Sequence, residues 1–333
     1  MTNSKLGLKR IFFIALVIVL IGMLGLFVAR QLFRVQLQAV PRWSIGRYQF
    51  DHQFNLISDQ PNPVFSVNDL LIRDAEFVAD PFVFPHGDSL YLFYERGLTI
   101  SYGGGWTGVI GLATSKDGLS WNDRGVVLRD PAIVSFPVIY EYANDIYMTV
   151  EGAGANNVRL FKATSFPNSW TCVDTILTGQ WSDPVIHEYN GMYYLFTSKP
   201  RYHDLHLFYS SSFLGPYTEH PASPVVKGDK ARGRNAGVLF EVDDALYRPV
   251  QDCSRMYGKQ VRLMKIEELS VTGYRETEID HSPILAGSGK GWNQKKMHTF
   301  NVFNINDIGF SVITDGTPVD YEHRIIISRR WVK

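Results

Sequence analysis

Cysteine is nearly missing from this 333-residue chain: Cys172 and Cys253 are its only two. Two cysteines cannot staple a disulfide scaffold or build a cysteine zinc site, and with no shared motif they read as two buried thiols. Net charge is missing as well, with 33 Lys and Arg against 33 Asp and Glu. A neutral chain offers no field to draw a phosphate backbone, which argues against nucleic acid as a partner. Charged residues are sparse at 20% against 45% hydrophobic, so disorder is excluded and a large core is permitted. Long helical patterns are scarce. What is plentiful is aromatic, with 21 Phe, 17 Tyr and 7 Trp, a composition suited to β-structure.

One apolar run stands out, Ile11 to Ala29, with no charged side chain. At about 1.5 Å per residue it nearly spans a hydrocarbon layer about 30 Å thick. No convincing small-x-small cleavage site lies around Val28-Ala29-Arg30, so the run is read as a retained transmembrane signal-anchor. Basic residues flank it on both sides (Lys5, Lys9 and Arg10; Arg30, Arg34, Arg42 and Arg47), so charge alone sets no orientation. The short leading tail is expected in the cytoplasm and the remainder outside it, on the periplasmic or lumenal side. The expected order is a tail over 1–10, an anchor over 11–29, a linker over 30–47 and a β-domain over 48–333.

That β-domain is a repeat. Ala79-Asp80-Pro81-Phe82-Val83 leads through a turn to Leu90–Glu95, Ser135–Ile139 to Ile146–Glu151, and Ser182–Ile186 to Tyr193–Ser198. Asn235–Leu239 leads likewise to Leu246–Gln251, and His298–Val302 opens a divergent fifth copy ending near Thr314-Asp315-Gly316. A second pattern follows each hairpin, as in Leu112–Trp121 and Lys162–Trp170. Two hairpins per repeat make a four-stranded antiparallel unit, and five units make a five-bladed β-propeller, an all-β fold behind one N-terminal helix. The last copy reaches a third strand around Arg324–Ser328, so a strand from Tyr48–Phe65 is expected to supply its outer strand and close the ring.

The offsets carry the functional argument. Asp80 to Glu95, Phe136 to Glu151, Asp183 to Ser198 and Ala236 to Gln251 are each fifteen residues apart. In an antiparallel hairpin the start of one strand lies beside the end of its partner, so both positions of every blade should open on one mouth. Asp80, Glu95, Glu151, Asp183, Gln251 and Asp252 are expected there, with Asn235, Arg248 and His298 near. A single Asp before Pro merely starts a strand or caps a turn. Carboxylates at equivalent places in successive blades repel one another, and at least one should have a raised pKa, as general acid work requires. Two carboxyls with room for a sugar and a water form the inverting glycosidase arrangement.

These stretches resemble known families. ADPFVF…YLFYE, GLATSKDGLSW and SDPVIHEYNGMYYLF are similar to the five-bladed propellers of glycoside hydrolase family 43. SFPVIYEYANDIYMTVE, ATSFPNSW, YSSSFLGPY, RNAG…LYRPVQDCSRMYGKQV and WNQKKMHTFN more closely resemble the N-terminal propeller domain of glucosamine inositolphosphorylceramide transferases and their bacterial homologues. The hydrolase resemblance implies Asp80 as general base and Asp183 as the residue that tunes pKa and orients the sugar. The family's general acid, a Glu opening the fourth blade, is missing: Arg234-Asn235-Ala236-Gly237 stands there. Glu151 or Asp252 would have to take that role. His298 resembles a fifth-blade His that lies near a channel metal in some family 43 members, but as a lone match it is read as a hydrogen-bonded core residue, with no cofactor expected. The transferase resemblance covers a domain separate from the one that transfers sugar, so transferase activity is not implied.

Other signals are structural. His203-x-x-His206 lies between strands and is no metal pair, and Gly103-Gly104-Gly105 lacks the Lys-Ser/Thr of a phosphate loop. Trp106 beside those glycines is a candidate for stacking on a sugar ring. Ser115-x-Asp117-Gly118-x-x-Trp121 has the form of an Asp-box turn. Two functions of different class therefore stand. One is a single-pass membrane protein whose propeller binds or hydrolyses envelope glycans or glycolipids through Asp80, Glu151 and Asp183, with Glu95, Asn235, Arg248, Gln251, Asp252, His298 and Trp106 contacting the ligand. The other is a non-catalytic scaffold in a polysaccharide-assembly complex.

Overall fold

A computed structural model describes residues 16–25, 27–28, 30–31, 33–58, 61–99, 106–153, 156–199, 201, 203–319 and 321–329. They divide into two units: the residues before Pro41 and after Tyr321, and the body formed by 41–99 and 106–321. In the first, residues 16–25 are helical, and β1 (Phe33–Val40) pairs antiparallel with the last strand, Glu322–Arg329. The span expected over 11–29 lies partly outside the described residues. Among those described, no helix is long and apolar enough to cross a membrane.

The second unit is a five-bladed propeller. β2 (Ser44–Phe50) and β3 (Leu56–Ser58) come first in the chain and belong to its last blade. Blade 1 is β4 (Ala75–His86), β5 (Ser89–Thr99), β6 (Trp106–Ser115) and β7 (Asn122–Leu128). Blade 2 is β8 (Ile133–Tyr142), β9 (Asp145–Ala153), β10 (Asn157–Ser165) and β11 (Ser169–Thr178). Blade 3 follows as β12 (Ser182–Tyr189), β13 (Met192–Lys199), β14 (Asp204–Ser210) and β15 (Thr218–Glu219). Blade 4 is β16 (Phe240–Val242), β17 (Ala245–Asp252), β18 (Gln260–Leu269) and β19 (Tyr274–Glu278), with β20 (Leu285–Ala286) also on β18. Blade 5 combines β21 (Asn301–Asn306) and β22 (Gly309–Gly316) with β2 and β3, in that order.

The ring closes with two N-terminal strands where one was expected. β2 takes the third position, paired with β22 from Ser44↔Gly316 to Phe50↔Phe310, and β3 is the outer strand. The segment Arg324–Ser328, assigned above to the third position, pairs with β1 instead. β2 fits the blade because Ile45, Tyr48 and Phe50 are buried in it against neighbouring blades.

Five apolar clusters fill the five seams between blades. Phe93, Ile110 and Leu112 meet Val134, Met148 and Phe161 between blades 1 and 2, and Tyr147 and Leu160 meet Ile186, Leu195 and Phe208 between 2 and 3. Val185, Phe196 and Leu207 meet Leu246 and Ile266 at the third seam. Phe240 and Leu263 meet Phe50 and Phe310 at the fourth. Ile45, Phe65 and Ile313 meet Leu92, Tyr94 and Ala113 at the fifth, which completes the circle. The Asp-box turn forms as expected, with Asp117 Oδ1 accepting from the amides of Leu119 and Ser120. Both cysteines are free, yet Cys172 is exposed on the outer strand β11 and only Cys253 is partly buried.

Candidate active site

The first strands of blades 1 to 3 share one local device. Asp80, Phe136 and Asp183 each adopt a positive φ, of 48°, 52° and 52°, and each precedes a proline. The ladder skips there, between Ala79 and Phe82, Ser135 and Val138, and Ser182 and Val185. A bulge of this kind re-aims one side chain out of the strand's alternation, and a left-handed non-glycine residue costs on the order of 1–3 kcal/mol. Paid at the same place in three blades, that strain sets Asp80 and Asp183 beside the ends of the second strands, where Ala79 faces Glu95 and Ser135 faces Glu151.

Asp80, Glu151, Asp183 and Asp315 are each bonded to the blade next door. The Phe136 amide donates to Asp80 Oδ2 at 3.2 Å, joining blades 1 and 2. Ser182 Oγ and the Asp183 amide donate to Glu151 at 2.9 and 3.2 Å, joining 2 and 3. Arg234 donates from Nε and Nη2 to the two oxygens of Asp183 at 2.7 and 2.9 Å, joining 3 and 4. The Val238 amide donates to Asn301 Oδ1, joining 4 and 5, and the Asp80 amide donates to Asp315 Oδ2 at 2.9 Å, joining 5 and 1.

Burial then shapes the charges. Desolvation, with Asp315 and Asp183 adding repulsion against the pull of His298 and Arg234, pushes the Asp80 carboxyl up to about 7. Glu151 rises to about 7 as well, through burial first and the Asp183 charge second, with Arg234 opposing. Glu95 is driven well above the carboxylate range by burial and by three acids facing it, Asp80, Glu151 and Asp315. Burial disfavours charge on His298, but Asp315, through its charge and its hydrogen bond, and Asp80 outweigh that and raise the imidazole. The well thus holds two ion pairs, Asp183 with Arg234 and Asp315 with His298, beside Asp80 and Glu151, raised to about 7, and Glu95, raised well above the carboxylate range.

The structure brings together Asp80, Glu95, Glu151, Asp183, Gln251 and His298. Gln251 donates to the Asn235 carbonyl at 2.8 Å and reaches Asp183 Oδ1 at 3.4 Å, while its Oε1 is buried without a partner. Asn235 lies just beneath, its amide donating to the carbonyls of Asp183 and Phe196. Two expected residues are held in ion pairs. Arg248 is buried in a forked pair with Glu276, at 2.8 and 2.7 Å, and donates from Nη1 to Asn235 Oδ1 at 3.1 Å. Asp252 accepts from Arg262, Gln260 and the Ser254 amide, which hold it below the usual carboxylate range despite burial. Trp106 opens β6, and its side chain lies outside the described residues.

Sequence reasoning missed Arg234, Asp315, Trp43 and Tyr257. Trp43 stacks on His298 with ring centres 4.2 Å apart, and Tyr257 meets the same imidazole edge-on at 5.5 Å while lying 5.3 Å from the Arg234 guanidinium carbon. Asp315 carried a readable signal. The Thr197 hydroxyl donates to the Ser182 carbonyl and the Thr314 hydroxyl to the Thr299 carbonyl, both fifteen residues back. Aligning the fifth copy on Thr299 therefore puts Asp315 at the place of Ser198.

Ligand atoms of Asp80, His298 and Asp315 lie within 4.8 Å of one another, the spacing of a metal site. Both oxygens of Asp315 are already engaged: Oδ1 accepts from His298 Nδ1 at 2.6 Å and from the His298 and Thr299 amides, and Oδ2 from the Asp80 amide, while His298 Nε2 lies 3.4 Å from Asp80 Oδ1. The trio fits a hydrogen-bonded set better than a cation cage.

The fold and the well define the class, a five-bladed β-propeller with acids gathered where its blades meet. Residues 43–317 match the family described as glucosamine inositolphosphorylceramide transferase 1, N-terminal, and the chain belongs to that family. It is 37% identical to glucosamine inositolphosphorylceramide transferase 1 of Oryza sativa subsp. japonica over 254 residues, 74% of this chain and 34% of the rice protein. The chain thus spans about a third of that relative's length. Among solved structures, the alpha-L-arabinofuranosidase of Podospora anserina in complex with cellotriose superposes with a TM-score of 0.57 at 10% identity, over 87% of this chain and 96% of that one. A thermostable family-43 glycoside hydrolase gives 0.54 at 14% identity, over 77% and 90%. Those two likenesses speak to the fold.

Proposed function

We propose that this chain is a membrane-tethered propeller that binds and hydrolyses envelope glycans or the sugar headgroups of glycolipids. One observation carries the reading: Asp80, buried, and Glu151, half-buried in the adjacent blade, are both poised near 7. General catalysis is most effective when acid and base titrate close to working pH. Asp80 would take the proton of the attacking water and Glu151 would protonate the departing oxygen. Asp183, paired with Arg234, adds to the burial that raises Glu151. The acids interact, so their protons come off as a set and the pair, not either residue alone, defines the active state. No metal or cofactor enters this scheme. The apolar run 11–29 serves as the anchor, which leaves the propeller outside the cytoplasm facing the glycans.

The full chain, purified in detergent, is to be assayed against aryl glycosides and envelope polysaccharides. Asp80→Asn and Glu151→Gln should each lower turnover by roughly 10²- to 10⁴-fold. Turnover that survives both substitutions overturns the pair. A second reading has its own support, because every one of these acids is also a bond between blades. In that reading the acids hold a scaffold together, and the same substitutions lower the melting temperature with no glycan binding to lose.

A further inference from the structure

A second cleft, of about 190 Å³, lies behind the wall of the acid well and is lined by Arg42, Trp43, Ser44, Ser66, Asn68, Glu76, Trp292 and Pro318, with Val67 at its edge. Trp43 is that wall, since its indole stacks on His298 of the well. The cleft also opens at the same end of the blades. Ser44 pairs with Gly316, one residue past Asp315, while Pro318 follows β22 and Glu76 begins β4 ahead of Asp80.

The second tryptophan is mounted as a platform. Its six-membered ring lies against two glycines of neighbouring strands: a Cβ at Gly46 would meet Trp292 Cη2 and Cζ2 at 2.3 and 2.5 Å, and one at Gly316 would meet Cζ3 at 2.8 Å. Any side chain at either position would lift the indole, so two bare backbones seat it on the sheet. Trp292 stays half-buried. Around it stand a guanidinium, a carboxylate, two hydroxyls and an amide. An aromatic plate ringed by planar polar groups and hydroxyls is the chemistry that recognises a pyranose, whose faces are apolar and whose rim donates and accepts hydrogen bonds.

We infer that this cleft is a second sugar subsite, taking one pyranose ring joined to the residue held in the acid well. The inference rests on the glycan reading of that well and extends it from a single sugar to a chain of at least two rings, with Trp292 as the stacking residue. Free monosaccharides then fill the well alone, and length is what Trp292 reads.

The test titrates the full chain in detergent with gluco-, manno- and xylo-oligosaccharides of one to six rings, followed by calorimetry. The expected result is a rise in affinity of at least tenfold on adding the second or third ring. Trp292→Ala should erase that rise and leave monosaccharide binding unchanged. Asn68→Phe, which sets a ring into the cleft from an exposed position, should do the same without touching the platform's packing. Length dependence that persists in both variants overturns the subsite and leaves the well's reading intact. No binding by any member of the series overturns both.

Discussion

Arg234 grips Asp183 through two parallel hydrogen bonds, Nε to Oδ2 at 2.7 Å and Nη2 to Oδ1 at 2.9 Å. Both side chains are largely buried, at 12% and 2% exposure. The arginine stands in the stretch where the hydrolase resemblance expects a proton donor, and a guanidinium keeps its proton at any working pH. It pairs with Asp183 and joins two blades. Arg234→Ala would leave a buried carboxylate unpaired, and the expected loss is about 3–5 kcal/mol. Arg234→Lys should recover only part, because an ammonium cannot reproduce the fork. Urea unfolding of both variants, with Asp183→Asn completing a double-mutant cycle, measures the coupling.

Acidity should stabilise this fold. Asp80 and Glu151 titrate near 7 when folded and near 4 when unfolded, so between those values the folded chain holds the extra protons. Stability therefore falls as pH rises from about 4 to about 7, and the full penalty is present above it. His298 adds to the same slope, since its raised imidazole contributes stability that is lost as pH climbs through its folded value. Melting temperature is expected to drop by on the order of 5 °C or more between pH 5 and pH 8. Asp80→Asn should flatten the profile, and a wild-type melting temperature that rises over this range would contradict the assignment.

The blades of this ring were legible because hairpin offsets are local. A fifteen-residue spacing fixes which ends of two adjacent strands meet, and that placed Asp80, Glu95, Glu151 and Asp183 correctly relative to one another. Closure was not local. β2 pairs with a strand more than two hundred residues downstream, and its alternation says which side chains are buried without saying whose edge it joins. Arg324–Ser328, with three isoleucines in a row, also reads as a strand and was the nearer choice in sequence. Arg234 was visible only as a missing Glu, since no spacing announces a partner across a seam. Arg262, the cation that pairs with Asp252, was equally invisible, because it belongs to the next strand of the same blade.

His298 should depend on Asp315 for its charge. The two meet at 2.6 Å in a buried setting, where burial alone would hold the imidazole neutral. Asp315→Asn keeps an oxygen to accept from the imidazole but removes the charge, so the His298 pKa is expected to fall below that of the wild type. The imidazole proton shifts, followed by NMR across pH 5 to 9, report it. An unchanged titration would mean that Asp80 carries the histidine's charge instead.

Closure of the ring should be a matter of packing at the inner part of β2 and not of the outer strand it brings along. Ile45 is fully buried in the seam between blades 5 and 1, beside Phe65 and Ile313, and its amide donates to the Phe65 carbonyl at 2.8 Å. Leu56, in the three-residue outer strand, is 50% exposed. Truncating Ile45 to Ala empties space in the seam that seals the circle, and the expected cost is about 2–5 kcal/mol. Leu56→Ala removes little contact and should change stability by no more than about 0.5 kcal/mol. Thermal melts of the two variants decide it. If Leu56→Ala proves the more damaging, the outer strand is what latches the ring, and Ile45 merely fills a seam already held shut.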